Sequence, residues 1–219
     1  MPVHWLTEQL RFPPVEDAGP DGLLAVGGDL SSERLLLAYR SGIFPWYDKP
    51  PILWWYPDPR FILFPEKLHV SKSMQQVLKS RRFSITVNHA FESVIHHCRT
   101  VKRKKQAGSW INDDMTEAYI RLHEQGYAIS VEAWQENKLA GGFYGIRLRK
   151  IFFGESMFSL VSNASKAAFI TYVRQLQQEG VRLIDCQVHT DHLASLGAGV
   201  IPGKAFKMLL QDALHAPGL

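Results

Sequence analysis

The sequence has little cysteine and no long apolar run. Its two cysteines, Cys98 and Cys186, are too few for a disulfide framework and are not spaced as zinc ligands. No apolar stretch approaches the roughly 20 residues that a membrane helix needs, and the first residues lack the basic and apolar segments of an export signal. These absences predict free thiols, no metal centre, no membrane partner and a cytoplasmic location.

Charge is nearly balanced, with a formal net charge of +4 at pH 7, which permits a polyanionic partner without requiring one. The distribution of the basic side chains is more informative. One group lies on a predicted helix and just after it, and the other in a predicted loop between two helices. The groups are Lys72, Lys79, Arg81 and Arg82, and Arg99, Lys102, Arg103, Lys104 and Lys105. Both are candidate contacts to a nucleic acid, and the alternative is a solvated surface.

Two parts of the chain differ in their patterns. The first sixty or so residues are rich in Pro, Gly and Trp, with one predicted helix over 32–41 that ends at Gly42. The rest predicts a strand at 83–88, helices at 90–100 and 113–125, a three-stranded meander over 127–158, a helix to 179, a strand at 181–188 and a helix at 204–214. We therefore predict an α+β protein with a small loop-rich domain (1–61) and a larger domain (62–219) whose mixed, mainly antiparallel sheet is flanked by helices.

The order of elements in the larger part resembles the N-acyltransferase fold of acetyl-CoA-dependent acetyltransferases. In those enzymes, the strand after the meander leads into a Gly-rich turn, whose backbone amides bind the CoA pyrophosphate. The corresponding segment, 154–165, holds no run of glycines. An N-acetyltransferase thus stays open as an alternative that the predicted fold favours and this segment disfavours.

Two polar residues lie in the predicted strand at 181–188. Because side chains alternate along a strand, Asp185 and Gln187 should share one face, about 7 Å apart, with Cys186 on the other. We predict that Asp185 and Gln187 meet the same cavity. A buried pair that braces a loop is the alternative.

Glu155 interrupts an apolar strand, between Phe153 and Met157 on the same face. A buried carboxylate needs a hydrogen-bonding or basic partner, or must take up a proton. The candidate partners are a substrate cation or an internal residue such as Arg147 or Arg149.

Apolar and aromatic residues offer a binding surface beside these polar groups. Large apolar side chains on the strands and the following helix could line a pocket, although most such residues are simply core. Two tryptophans lie among turn residues, where a flat ring can stack on a nucleotide base. The pocket candidates are Phe143, Phe153, Met157 and Phe169, and the stacking candidates are Trp46 and Trp110.

Four stretches, in this order, resemble the signatures of the leucyl/phenylalanyl-tRNA protein transferase family. They are 24–30 with 42–46, 54–60, 154–158 and 183–187. Each is weak alone, but the series is specific, and supporting segments extend the similarity over nearly the whole chain.

The resemblance implies transfer of leucine, phenylalanine or methionine from tRNA to a protein that begins with arginine or lysine, which marks that protein for degradation in bacteria. It implies no cofactor, and we expect a monomer. Asp185, Gln187 and Glu155 would be catalytic, and the two basic groups would bind tRNA. The mechanism proposed for the family makes Gln187 the base. A neutral amide is a very poor base, so we expect Asp185 to orient the Gln187 amide, with the proton leaving through Asp185, water or the ribose.

Other functions stay open as alternatives. A thiol hydrolase on Cys186 and His189 is disfavoured because Cys186 should face the core. A non-catalytic RNA-binding protein would leave the three polar strand residues unexplained. A metal hydrolase lacks convincing ligand spacing, and its candidate ligands would be His189, Asp191 and His192, or His96, His97 and Cys98.

Overall fold

The computed structural model describes residues 3–101 and 111–216. The N-terminal part forms a four-stranded sheet in the order β1-β2-β4-β3, with one helix between β2 and β3. Its elements are β1 (His4–Leu6), a 3₁₀ turn (Val15–Asp17), β2 (Leu23–Gly27), α1 (Ser32–Arg40), β3 (Phe44–Pro45) and β4 (Leu53–Trp55).

A seven-stranded sheet forms the centre of the larger part, in the order β11-β5-β10-β9-β8-β7-β6. Strands β9 and β10 run parallel, and the other neighbouring pairs are antiparallel. The strands are β5 (Arg60–Leu63), β6 (Ser84–Val87), β7 (Ala128–Gln135), β8 (Lys138–Leu148), β9 (Ile151–Ser159), β10 (Leu183–Gln187) and β11 (Gly199–Ile201).

Capping residues mark the ends of several of the remaining helices. The Asn112 side chain accepts a hydrogen bond from the Met115 backbone at the start of one helix, and Gly126 adopts a φ of 82° just beyond its end. These elements are a 3₁₀ turn (Pro65–Lys67), α2 (Lys72–Lys79), α3 (Phe91–Thr100), α4 (Asp113–Glu124), α5 (Ala164–Gln178), α6 (Asp191–Ala194) and α7 (Gly203–His215).

Helices cover both faces of the large sheet, because alternate strand residues are apolar on each side. On one face α1, α3, α4 and α7 pack over Tyr144 and Phe153 in a core that continues into the N-terminal sheet. On the other face, α2 and α5 pack over Phe143 and Phe152 in a second core.

The predicted α+β class is confirmed, with a small N-terminal part and a mixed, mainly antiparallel sheet flanked by helices. The predicted domain boundary after residue 61 stays a prediction, and strand β5 (Arg60–Leu63) runs across it. The short strands β1 to β5 and β11 were missed, since two to five residues show little readable alternation. In the described ranges, no helix is both long and apolar enough to cross a bilayer.

Candidate active site

The site forms where two parallel strands separate. Strands β9 and β10 pair only through Ile151–Phe153 and Leu183–Asp185. Just beyond, β9 carries a bulge at Glu155, between the pairs Gly145↔Gly154 and Tyr144↔Ser156 on β8. Strand β10 carries another, because its pairing with β5 passes from Asp185 directly to Gln187. Bulges redirect side chains, and these two bring Glu155 and Gln187 to the same opening.

A cavity of about 850 Å³ lies at this opening, within the size range of small-molecule sites. Its wall is mostly apolar, and Glu155 is the one Asp or Glu among the described residues that line it. The wall includes Phe44, Pro45, Trp46, Phe143, Glu155, Met157, Phe169, Ile184, Cys186, Gln187, Thr190 and His192.

Three neutral side chains surround the Glu155 carboxyl group. Tyr39 of α1 donates a hydrogen bond to Oε1 at 2.8 Å, and Tyr119 of α4 donates to Oε2 at 3.0 Å. The Gln187 amide Nε2 donates to Oε1 at 3.1 Å. The two tyrosine hydroxyls also contact each other. Within 3–101 and 111–216, Glu155 forms no ion pair.

Burial without a counter-charge shifts the protonation of this group. It raises the pKa of Glu155 to about 7, and the hydrogen bonds from Tyr39 and Tyr119 partly oppose the rise because they stabilise the ionised form. The negative charge of Asp185 raises it further. Burial and the charge of Glu155 also raise the pKa values of both tyrosines well above their ordinary range, so both stay protonated.

Asp185 has the opposite environment. It is fully buried, and the Arg60 guanidinium binds it through two nitrogens, with Nε–Oδ1 2.8 Å and Nη2–Oδ2 2.6 Å. Arg60 Nη2 also donates to the Gly42 carbonyl at 2.9 Å, and the guanidinium lies 4.5 Å from the centre of the Phe206 ring. This buried ion pair links β5 to β10 within the large sheet, and the bond to Gly42 links Arg60 to the N-terminal part of the chain.

The prediction that Asp185 and Gln187 face the same cavity, with Asp185 orienting the Gln187 amide, is therefore wrong. The Asp185 Oδ1 accepts the backbone N–H of Gln187 at 2.9 Å, whereas the Gln187 side chain bonds to Glu155. The bulge interrupts the predicted alternation, and Gln187 adopts a φ of 63°. Asp185 is not on the cavity wall. It fixes the backbone of Gln187 and does not orient its amide.

The internal basic partners suggested for Glu155 are also wrong. Arg147 pairs with Glu179 instead. Arg149 lies in the turn between β8 and β9 with a φ of 53° and is exposed. Neither supplies a charge to Glu155.

Most of the predicted apolar pocket is present. Phe143, Met157 and Phe169 line the cavity, and so does Trp46, which is 39% exposed beside the Trp55 ring. Phe153 does not line it. That ring packs against Tyr39 in the core on the other face of the sheet, with ring centres 5.1 Å apart.

Five of the predicted site residues lie outside the described residues. They are the stacking candidate Trp110 and the cations Lys102, Arg103, Lys104 and Lys105. Of the remaining predicted tRNA contacts, Arg99 pairs with Asp113, and the four on and after α2 are exposed: Lys72, Lys79, Arg81 and Arg82.

Other side chains at the cavity are poorly suited to thiol or metal chemistry. Cys186 is buried in the second core, as expected, and borders the cavity, and burial raises the pKa of its thiol far above the usual range. His192 is half-buried, and burial lowers its pKa. In the described part of the chain, no three His, Cys, Asp or Glu side chains form a possible metal site.

Sequence reasoning did not identify Tyr39, Tyr119 or Arg60 as site residues. Tyrosines on amphipathic helices are usually core, so nothing marked these two. The sequence did contain a signal for Arg60. It ends the 54–60 stretch, and a charged side chain next to an apolar segment needs a partner.

Comparison with known proteins shows the family. The family model described as leucyl/phenylalanyl-tRNA protein transferase matches residues 62–211, and a model of the N-terminal domain of the same family matches residues 28–58. A leucyl/phenylalanyl-tRNA--protein transferase of Syntrophus aciditrophicus is 54% identical and covers 100% of this chain and 92% of its own. One of Flavobacterium johnsoniae is 51% identical and covers 96% of this chain and 100% of its own.

Solved structures are more distant. A GCN5-related N-acetyltransferase-like protein from Streptococcus suis has a TM-score of 0.38 at 10% identity and covers 74% of this chain and 60% of its own. A GCN5-related N-acetyltransferase from Kribbella flavida has a TM-score of 0.36 at 10% identity, with 75% and 59% covered. Similarities this low carry no argument, and the assignment rests on the sequence matches.

Those matches first define the class, because the matched family consists of aminoacyltransferases. Within that class, the chain belongs to the leucyl/phenylalanyl-tRNA protein transferase family.

Proposed function

We propose that this protein transfers leucine, phenylalanine or methionine from aminoacyl-tRNA to the N-terminal arginine or lysine of an acceptor protein and so marks that protein for degradation. It acts as a monomer in the cytoplasm, without a cofactor. The observation that carries the proposal is the cavity itself, where an apolar wall meets the hydrogen-bonded pair of Glu155 and Gln187.

The apolar wall suits the side chain of the donor. Phe143, Met157 and Phe169 supply aromatic and flexible apolar surface, and full burial of a leucine or phenylalanine side chain is worth about 1.5–3 kcal/mol. The half-exposed Trp46 ring at the rim would stack on the terminal adenosine of the tRNA.

The reaction replaces an ester by an amide, so the enzyme needs to place a neutral amine against the ester carbonyl and to stabilise the charge that develops. Glu155 and Gln187 border the cavity and can contact the reacting groups. Asp185 cannot, because it is buried against Arg60, and we assign it a positioning role through the backbone of Gln187.

The tRNA body would lie across the basic surfaces. The exposed cations of α2 and the turn after it are candidates, together with Arg99 and the cations that follow it in the sequence: Lys72, Lys79, Arg81 and Arg82, and Lys102, Arg103, Lys104 and Lys105. Trp110 would supply a second stacking surface.

The direct test uses phenylalanyl-tRNA and two synthetic peptides that differ only in beginning with arginine or with alanine. Mass spectrometry should show one added phenylalanine on the arginine peptide and none on the alanine peptide. The acetyltransferase alternative is tested in parallel with acetyl-CoA. Acetylation of the peptide, with no phenylalanine transfer, would overturn the proposal.

A further inference from the structure

The Glu155 carboxyl group has a cavity side and a protein side. It borders the cavity, and on its protein side it accepts hydrogen bonds from Tyr39 and Tyr119, whose side chains are fully buried. A carboxyl group placed between substrate space and two hydroxyl donors, and lacking an ion-pair partner among the described residues, is suited to exchange a proton with a bound substrate.

Building on the proposed function, we propose that Glu155 accepts the proton that the α-ammonium group of the acceptor loses before it attacks the ester. Tyr39 and Tyr119 act through Glu155 as positioning residues, which hold the carboxyl group in place in both of its protonation states.

The proton balance of the reaction requires a proton acceptor. The acceptor ammonium gives one proton to the Glu155 carboxylate, and the free amine attacks the ester carbonyl carbon. As the new C–N bond forms and the bond to the ribose oxygen breaks, a second proton moves from the amine nitrogen to that oxygen. The first proton stays on Glu155 and passes to water when the product leaves, so the overall reaction releases one proton.

Competing proton acceptors on the cavity wall are weaker. The Cys186 thiol stays protonated, because burial raises its pKa. Burial and the positive charge of Lys166 lower the pKa of His192, which makes its imidazole a poorer base. The pKa of Glu155, about 7, lies close to the roughly 7.7–8.0 of a free α-amino group, so transfer between them is nearly balanced.

The two tyrosines give each protonation state a complete set of hydrogen bonds. Both hydroxyls donate to the ionised carboxylate. When Glu155 is protonated, its O–H can donate to one tyrosine, which donates to the other through their mutual contact. Hydrogen bonds to a charge are roughly twice as strong as neutral ones, so the tyrosines favour the ionised form overall.

Other elements also bring titratable and polar groups towards Glu155. These groups are Tyr39 on α1, Tyr119 on α4, Tyr144 on β8, and Asp185 and Gln187 on β10.

The kinetic test measures single-turnover transfer from phenylalanyl-tRNA to the arginine peptide across a pH series. Glu155→Gln should lower the transfer rate by about 10²-fold or more and remove the dependence on the ionisation of the enzyme. Tyr39→Phe and Tyr119→Phe should each shift the rising limb of the profile upward by roughly one pH unit, with recovery of the rate at higher pH. Tyr172→Phe, which removes a buried tyrosine hydroxyl in the other core, is the matched control and should not shift it.

Infrared spectroscopy of the free enzyme tests the carboxyl group without the reaction. The carbonyl band of the protonated group, identified by its loss in Glu155→Gln, should titrate near neutral pH and at higher pH in Tyr39→Phe. A carbonyl band that titrates near the ordinary pKa of about 4.3 would overturn the inference. So would a Glu155→Gln variant that transfers phenylalanine as fast as the wild-type enzyme. If the wild-type enzyme transfers nothing to the peptide, the proposed function fails instead. The infrared titration still tests the Glu155 carboxyl group by itself in that case.

Discussion

Two carboxyl groups, one fully buried and one half-buried at the cavity, lie on neighbouring strands of this protein in opposite surroundings. Asp185 on β10 is held by two nitrogens of the Arg60 guanidinium, whereas the partners of Glu155 on β9 among the described residues are all neutral. The first carboxyl group is neutralised by a fixed charge and is closed off from the cavity. The second is left to balance its charge with a proton or a substrate cation. Their surroundings thus distinguish an acid with a structural role from the acid that we propose to be reactive.

The largest expected effect comes from removing the counter-charge of Asp185. Arg60→Met should lower the free energy of unfolding by about 3–5 kcal/mol, because it leaves a buried carboxylate unpaired. Denaturant titration measures this. The double variant Arg60→Met with Asp185→Leu is the control and should recover much of the loss, since no buried charge remains. A loss below about 1 kcal/mol for Arg60→Met would contradict the structural role of the pair.

The next effect concerns the dependence of stability on pH. Burial raises the pKa of folded Glu155 from 4.5 to about 7, so its contribution to stability is fully present below pH 4.5 and is lost as the pH rises to about 7. Relative to Glu155→Gln, the wild-type protein should lose about 3 kcal/mol of unfolding free energy over this window. Denaturant titrations of both proteins at the two ends of the window measure it. A difference that does not change with pH would show that the carboxyl group titrates normally.

The smallest effect separates the charge of Arg60 from its shape. Arg60→Lys should cost about 1–2 kcal/mol, because an ammonium group keeps the charge but loses the two-nitrogen fork and the stacking against aromatic rings. The same denaturant titration compares it with Arg60→Met. Equal losses in the two variants would mean that the planar fork, and not the charge, holds Asp185.

Much of the architecture was determined by the sequence. Helix ends followed from local residues such as Asn112, whose side chain caps the start of α4, and Gly126, whose positive φ lies just beyond its end. Apolar runs bounded by turn residues predicted the meander, and a sheet that is apolar on both faces needs helices to cover it. The embedded Glu155 also marked the site, since an acid in an apolar strand demands an explanation.

Only the tertiary structure decided which partner each acid received. Strict alternation paired Asp185 with Gln187, but the bulges in β9 and β10 redirected the Gln187 side chain to Glu155. Tyr39 and Arg60 come from elements more than 100 residues away in the chain, and the fold alone brings them to these carboxyl groups. Local pattern determines secondary structure because its forces act over a few residues. The protonation of a buried acid depends on every group packed around it, and that set exists only after folding.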